Sequence, residues 1–171
     1  MRPCYLPALA LASLTLLACS NDGDTAIESC QTFRTALSIK DRMSQGVNVF
    51  ISGEPITFEL ETSNRSNAPA TLTAGSSCTA VVFDVLDSAQ QRRWGSADGI
   101  ACIQMLQPRT FAPQETVVES STWEQKDSGG GQVPPGTYTV SANVGQYASD
   151  ADGRMVDCRA QLSKSATLTI Q

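Results

Sequence analysis

Ile56-Thr57-Phe58-Glu59-Leu60-Glu61 alternates apolar and polar side chains without a break. A period of two places Ile56, Phe58 and Leu60 on one face of an extended segment and Thr57, Glu59 and Glu61 on the other, the pattern of a half-buried strand. The alternation recurs in Val47, Val49 and Ile51; in Val81, Phe83 and Val85; in Tyr138, Val140, Ala142 and Val144; and in Ala166, Leu168 and Ile170. β-branched Val and Thr supply much of it, because two heavy atoms on Cβ stiffen χ1 and pack well on a pleated surface.

Turn chemistry separates these runs: Ser52-Gly53-Glu54-Pro55, Asn64 to Pro69, Asp127-Ser128-Gly129-Gly130-Gly131, Pro134-Pro135-Gly136, and Asp150-Ala151-Asp152-Gly153. Helical periodicity longer than two turns is absent after Met43. Roughly seven short strands at this spacing predict an all-β fold, an immunoglobulin-like antiparallel β-sandwich over residues 46–171, with a small closed barrel as the competing architecture. Ahead of it, apolar residues thin out to Ala26, Ile27, Phe33, Leu37 and Ile39, a spacing that suits either a short helix or an irregular lead-in.

The amino terminus has a different character. Arg2 precedes an apolar stretch from Leu6 to Leu17, and Leu16-Leu17-Ala18-Cys19 closes it. This is the order of a charged n-region, an h-region and a small-residue cleavage site, and the apolar run falls short of the roughly 20 residues needed to span a bilayer. Leu-Leu-Ala-Cys resembles the lipobox of bacterial lipoprotein precursors. The resemblance implies a signal peptide over residues 1–18 and a lipid-bearing Cys19, with residues 19–45 forming a lipidated cysteine, a polar tether and the lead-in. Buried acyl chains contribute roughly 0.8 kcal/mol per methylene, so two or three of them anchor a protein without a spanning segment. Ser20 after the cysteine resembles the sorting pattern for the outer membrane, so the expected location is the cell envelope, on the periplasmic face of that membrane.

The chain carries a formal charge of −5. Loss of Arg2 with the leader brings it to about −6, which repels nucleic acid and anionic headgroups and leaves attachment to the lipid. About 153 residues remain, enough for one domain and too few for two. Of the six cysteines, Cys4 lies in the leader and Cys19 takes the lipid, leaving Cys30, Cys78, Cys102 and Cys158. Four thiols in an oxidising compartment read as two disulfides with three possible connectivities. We favour Cys78 with Cys102, closing a compact central section, and Cys30 with Cys158, tying the start of the domain to its last hairpin. Zinc is the competing use of these residues, but there is no histidine and no C-x-x-C spacing.

The absence of histidine also removes Ser-His-Asp and Cys-His catalysis. Glu59 with Glu61 and Asp84 with Asp87 are conceivable carboxylate pairs, yet the first shares the polar face of a strand and the second begins a turn. Asp150-Ala151-Asp152-Gly153 is similar to the start of a calcium loop without the later bidentate Glu. Asn64-Arg65-Ser66 fits the glycosylation pattern and reads as a turn. Trp94 and Trp123 are read as core or edge packing rather than as exposed anchors for a partner. No catalytic residue, metal or cofactor is expected, and the chain is read as a non-enzyme.

One set of motifs is family-like. Ile56-Thr-Phe-Glu-Leu60 leading to Asn64, Ala80-Val-Val-Phe-Asp-Val-Leu-Asp87, Arg93-Trp94, Phe111-Ala-Pro-Gln-Glu115, Trp123 and Pro135-Gly136-Thr137-Tyr138-Thr139-Val140 occur in an order that resembles the BsuPI family of proteinase inhibitors. The likeness covers residues 56–145. Gln114 stands where the family tends to have Gly, Cys78 and Cys102 are additions, and export departs from the intracellular founding member. The resemblance implies a sandwich that binds a protein partner, a protease among the possibilities, as a monomer. Steric occlusion by a rigid loop is the expected mechanism, with residues 127–135 and 88–99 as the loops to test. The alternative is an envelope structural or assembly accessory that pairs an edge strand with a neighbour.

Overall fold

The computed structural model describes residues 29–171 except Thr79 and Ala151. The leader, Cys19 and the tether lie outside the described residues. One layer is a three-stranded antiparallel sheet of β1 (Phe33–Lys40), β3 (Ile56–Asn64) and β8 (Thr116–Trp123), in that order. The facing layer has five strands in the order β2 (Val49–Phe50), β12 (Lys164–Ile170), β9 (Gly136–Val144), β5 (Val81–Leu86) and β6 (Arg92–Gly95). A third sheet runs β11 (Met155–Asp157), β10 (Gln146–Ser149), β4 (Ala70–Ala74) and β7 (Gln107–Phe111). Helix α1 (Arg159–Leu162) leads into β12.

The deciding stretch behaves as its period requires. Ile56, Phe58 and Leu60 are fully buried, while Thr57 and Glu59 are half-buried and Glu61 is exposed. Phe58 of β3 stacks on Phe83 of β5 across the sandwich, centroids 6.1 Å apart, and Trp123 of β8 meets Tyr138 of β9 edge-on at 5.7 Å. Each such side chain removed from water contributes roughly 1.5–3 kcal/mol, so this inter-sheet aromatic group is the centre of the core. The fold is an immunoglobulin-like β-sandwich, and its separate sheets with free edges exclude the closed barrel.

Four expectations need correction. Residues 33–40 are neither helix nor irregular lead-in: β1 pairs with β3 along its whole length, from Phe33 opposite Asn64 to Lys40 opposite Thr57, so the sandwich begins at Phe33 rather than at residue 46. Strands number twelve among the described residues, not about seven, because the third sheet and several pairings of two to five residues are too short to display a period. β2 joins β12 in parallel, so the sandwich is not wholly antiparallel. Finally, Val49 and Ile51 face outward and Phe50 is buried, which inverts the phase expected there.

The structure contains disulfides Cys30–Cys158 and Cys78–Cys102, spanning 128 and 24 residues. The first is buried and ties the segment before β1 to the start of α1. The second links the segment after β4 to the long connection between β6 and β7.

Candidate functional site

Residues 88–99 and 127–135, separate in sequence, meet at one end of the sandwich. Asp87 ends the alternation of β5 and starts a tight turn: its Oδ1 accepts the N–H groups of Ala89 and Gln91 at 2.8 and 2.9 Å, and its Oδ2 holds Arg93 at 2.7 Å. The Gln91 N–H, reinforced by Arg93, keeps the Asp87 carboxyl below the usual carboxylate range. Arg92, next along β6, is clamped between Asp84 and Asp98. A Cβ at Gly95 would lie 1.7 Å from the Arg92 guanidinium and 2.7 Å from Asp84 Oδ1, so only glycine leaves room for this clamp.

The second loop docks onto the first through Ser128. Its N–H donates to Arg93 O at 2.7 Å and its hydroxyl to Asp98 Oδ2 at 2.6 Å. The Ser128 hydroxyl, with Arg92 beside it, holds the Asp98 carboxyl below its ordinary value. Asp127 Oδ1 accepts from Gly129 and Gly131, and Gly130 takes φ 85° at the tip, which explains the triple glycine. Downstream, the Tyr138 hydroxyl braces the corner by donating to Pro134 O at 2.6 Å. Upstream, the fully buried Gln125 accepts from Gly53 N–H and donates to Ile51 O and Glu54 O, each at 2.8 Å, pinning a third loop.

The structure gives most of the conceivable catalytic groups other partners. Asp84 and Asp87 are held by Arg92 and Arg93. Glu59 pairs with Lys40 across β1 and β3, and Glu61 is exposed on the same strand. Asp150 Oδ1 accepts the N–H groups of Asp152 and Arg154 and so builds a hairpin turn. Asn64 is fully buried, its amide donating to Ala68 O, Phe111 O and Ala112 O, which denies access to a glycosyl transfer. Trp123 is fully buried with its N–H on Lys126 O, and Trp94 packs 6.4 Å from it. No group of three metal-ligating side chains converges among the described residues.

A feature without periodicity escaped the sequence reading. Gly99-Ile100-Ala101-Cys102-Ile103-Gln104-Met105-Leu106 connects β6 to β7, and Ile100, Ile103, Met105 and Leu106 are exposed by 57, 63, 43 and 68%. Apolar side chains this exposed on one short loop are unusual for a surface that serves only solvation. The loop is nevertheless fixed. Cys102 is bonded to Cys78, Ile103 N–H donates to Ser77 Oγ, and Ser77 N–H donates to Ile103 O, both at 3.0 Å. The available signal was a cysteine flanked by large aliphatics in a stretch with no polar partner row.

The family described as "BsuPI: Intracellular proteinase inhibitor" matches residues 43–147. The chain belongs to the BsuPI family. The match takes in all three pinned loops and the exposed β6–β7 connection, and leaves β1 and the segment from β11 onward outside. No curated protein matches. Among solved structures, the chain is similar to the C-terminal domain of Wzt (9% identity, TM-score 0.47, covering 82% of this chain and 74% of that one). It is also similar to the CARDB domain of a Pyrococcus furiosus protein in complex with di-metal ions (12%, 0.43, 82% and 90%). A third is the putative ApaA protein of Bordetella pertussis (12%, 0.40, 81% and 93%).

Proposed function

We propose that this BsuPI-family protein is a lipid-anchored proteinase inhibitor of the cell envelope, tethered through Cys19 to the periplasmic face of the outer membrane, with residues 99–106 as its contact loop. The carrying observation is the exposure of Ile100, Ile103, Met105 and Leu106 on one loop that a disulfide and two hydrogen bonds hold in place. A loop already ordered before binding loses little entropy on association, and large aliphatic side chains supply the area that desolvates against a protease cleft. The clamp at Arg92 and Asp98 supports the root of the loop, since Asp98 lies directly before Gly99.

The test is inhibition of a panel of serine, cysteine and metalloproteases by the purified mature protein. Saturable inhibition of at least one enzyme, lost in an Ile103→Ser, Leu106→Ser variant, supports the reading. Unaffected proteolysis throughout the panel removes it. The anchor is tested separately, by metabolic labelling with a fatty acid that a Cys19→Ser variant no longer takes up.

A further inference from the structure

Strand β8 is the open edge of the three-stranded sheet, bonded to β3 on one side and unpaired on the other among the described residues. Other edges are blunted in familiar ways. β2 and β11 have two and three residues, β7 contains Pro108, and β6 presents Arg92 and Arg93. β1, the other edge of the same sheet, is bridged by Lys40 to Gly46 and by Val47 N–H to Ile39 O. β8 by contrast has eight residues with neither Pro nor Lys, and every second one turns its N–H and C=O outward.

The inward row of β8 is Val117, Glu119, Ser121 and Trp123. Where Glu119 and Ser121 replace apolar residues, a groove of about 370 Å³ opens between β8 and the facing sheet, with Val81, Phe83 and Ile100 on its apolar wall. Burial pushes the Glu119 carboxyl up. The cation acting on it, Arg109, is engaged at 4.0 Å with Glu115, and the Glu119 carboxylate itself makes no ion pair or hydrogen bond among the described residues. An inward charge on an edge strand opposes pairing with an apolar strand and favours one that brings the opposite charge.

We infer that the β8 edge and its groove form a second binding site, which adds an extended segment of another protein as a strand and seats a Lys or Arg side chain of that segment against Glu119. A second copy of this chain is the poorer occupant. Two-fold pairing of β8 about its centre sets Glu119 opposite or beside its own copy, and like charges across strands destabilise the pair. The chain's formal charge of −5 likewise draws a cationic segment.

The experiment uses the mature protein in detergent and two acetylated, amidated peptides, Thr-Val-Lys-Val-Thr-Val and the same peptide with Glu in place of Lys. Hydrogen exchange at residues 116–123 slows with the Lys peptide, which binds about tenfold more tightly than its Glu counterpart. Glu119→Gln brings that ratio to about one, and Glu119→Lys inverts it, a gain of binding that misfolding cannot produce. Absence of protection in β8, or an unchanged ratio in both variants, overturns the inference. No protease enters this measurement, so its failure and that of the inhibitor reading are separable.

Discussion

Ser128 Oγ donates to Asp98 Oδ2 at 2.6 Å, joining two loops whose residues lie 30 apart in sequence. Asp98 also accepts from Arg92 and from the Gly95 N–H, so one carboxylate gathers β6, the root of the apolar loop and the glycine-rich loop. A charge-assisted hydrogen bond is stronger than a neutral one, which makes this carboxylate the point where loop geometry is set.

Ser128→Ala removes the largest influence lowering the Asp98 pKa, so an NMR titration of Asp98 shows it rise toward the ordinary Asp value. A carboxylate whose folded pKa is depressed contributes stability above its unfolded pKa and loses it as pH falls through the folded pKa. The wild-type protein therefore loses stability on acidification over a wider range than Ser128→Ala does. An unchanged Asp98 titration in the variant contradicts the geometry.

Legibility in the sequence followed the contrast between the two faces of each strand. β3, β5 and β9 carry buried Ile56, Phe58, Leu60, Phe83, Val85, Tyr138 and Val140 against polar neighbours, and their period was plain. β1 was obscured because its inward row contains Thr35, buried with its hydroxyl donating to Leu162 O at 2.7 Å, while its outward row contains Ala36. A polar residue inside and an apolar one outside flatten the alternation, and the partner that rescues Thr35 is 127 residues away. At β2 the β-branched Val49 and Ile51 suggested the inner face, yet Phe50 has more area to bury and takes it. The two candidate loops, 88–99 and 127–135, were brought together as a cluster, whereas the apolar β6–β7 loop had no period to reveal it.

Gln125 is the second test of the loop cluster. It sits at φ 54°, fully buried, and satisfies one backbone N–H and two backbone carbonyls of the 51–54 turn. Gln125→Ala leaves the Gly53 N–H and Glu54 O without their side-chain partner, at a cost of about 1–3 kcal/mol each where water cannot reach them, while Ile51 O keeps the Glu54 N–H. Gln125→Gly makes the same loss but relieves the left-handed backbone, so it is the less destabilising of the two. Urea unfolding of both variants reads the order directly, and equal midpoints contradict it.

Ile103→Ser with Leu106→Ser tests the proposed contact loop without touching the core. Both side chains are mostly in solvent, so stability changes by about 0.5 kcal/mol or less per site. Loss of inhibition with an unmoved unfolding midpoint is the expected pair of results. A protease inhibited equally by wild type and variant places contact elsewhere.

The two disulfides separate stability from function. On chain entropy alone, a cross-link spanning 128 residues stabilises by about 5 kcal/mol and one spanning 24 by about 3.5 kcal/mol. Removing Cys30–Cys158 also empties buried volume between β1 and α1, since both sulfurs lie in the core, so Cys30→Ala with Cys158→Ala lowers the urea midpoint the more. Cys102 is exposed and its bond restrains a surface loop. Cys78→Ala with Cys102→Ala therefore keeps the sandwich folded while Ile100 to Leu106 lose their fixed arrangement, and the ordering cost then falls on the binding step. Inhibition weakened in this variant more than in the Cys30, Cys158 variant, with the stability ranking reversed, is the outcome expected of the proposed contact loop; parallel rankings in both measurements contradict it.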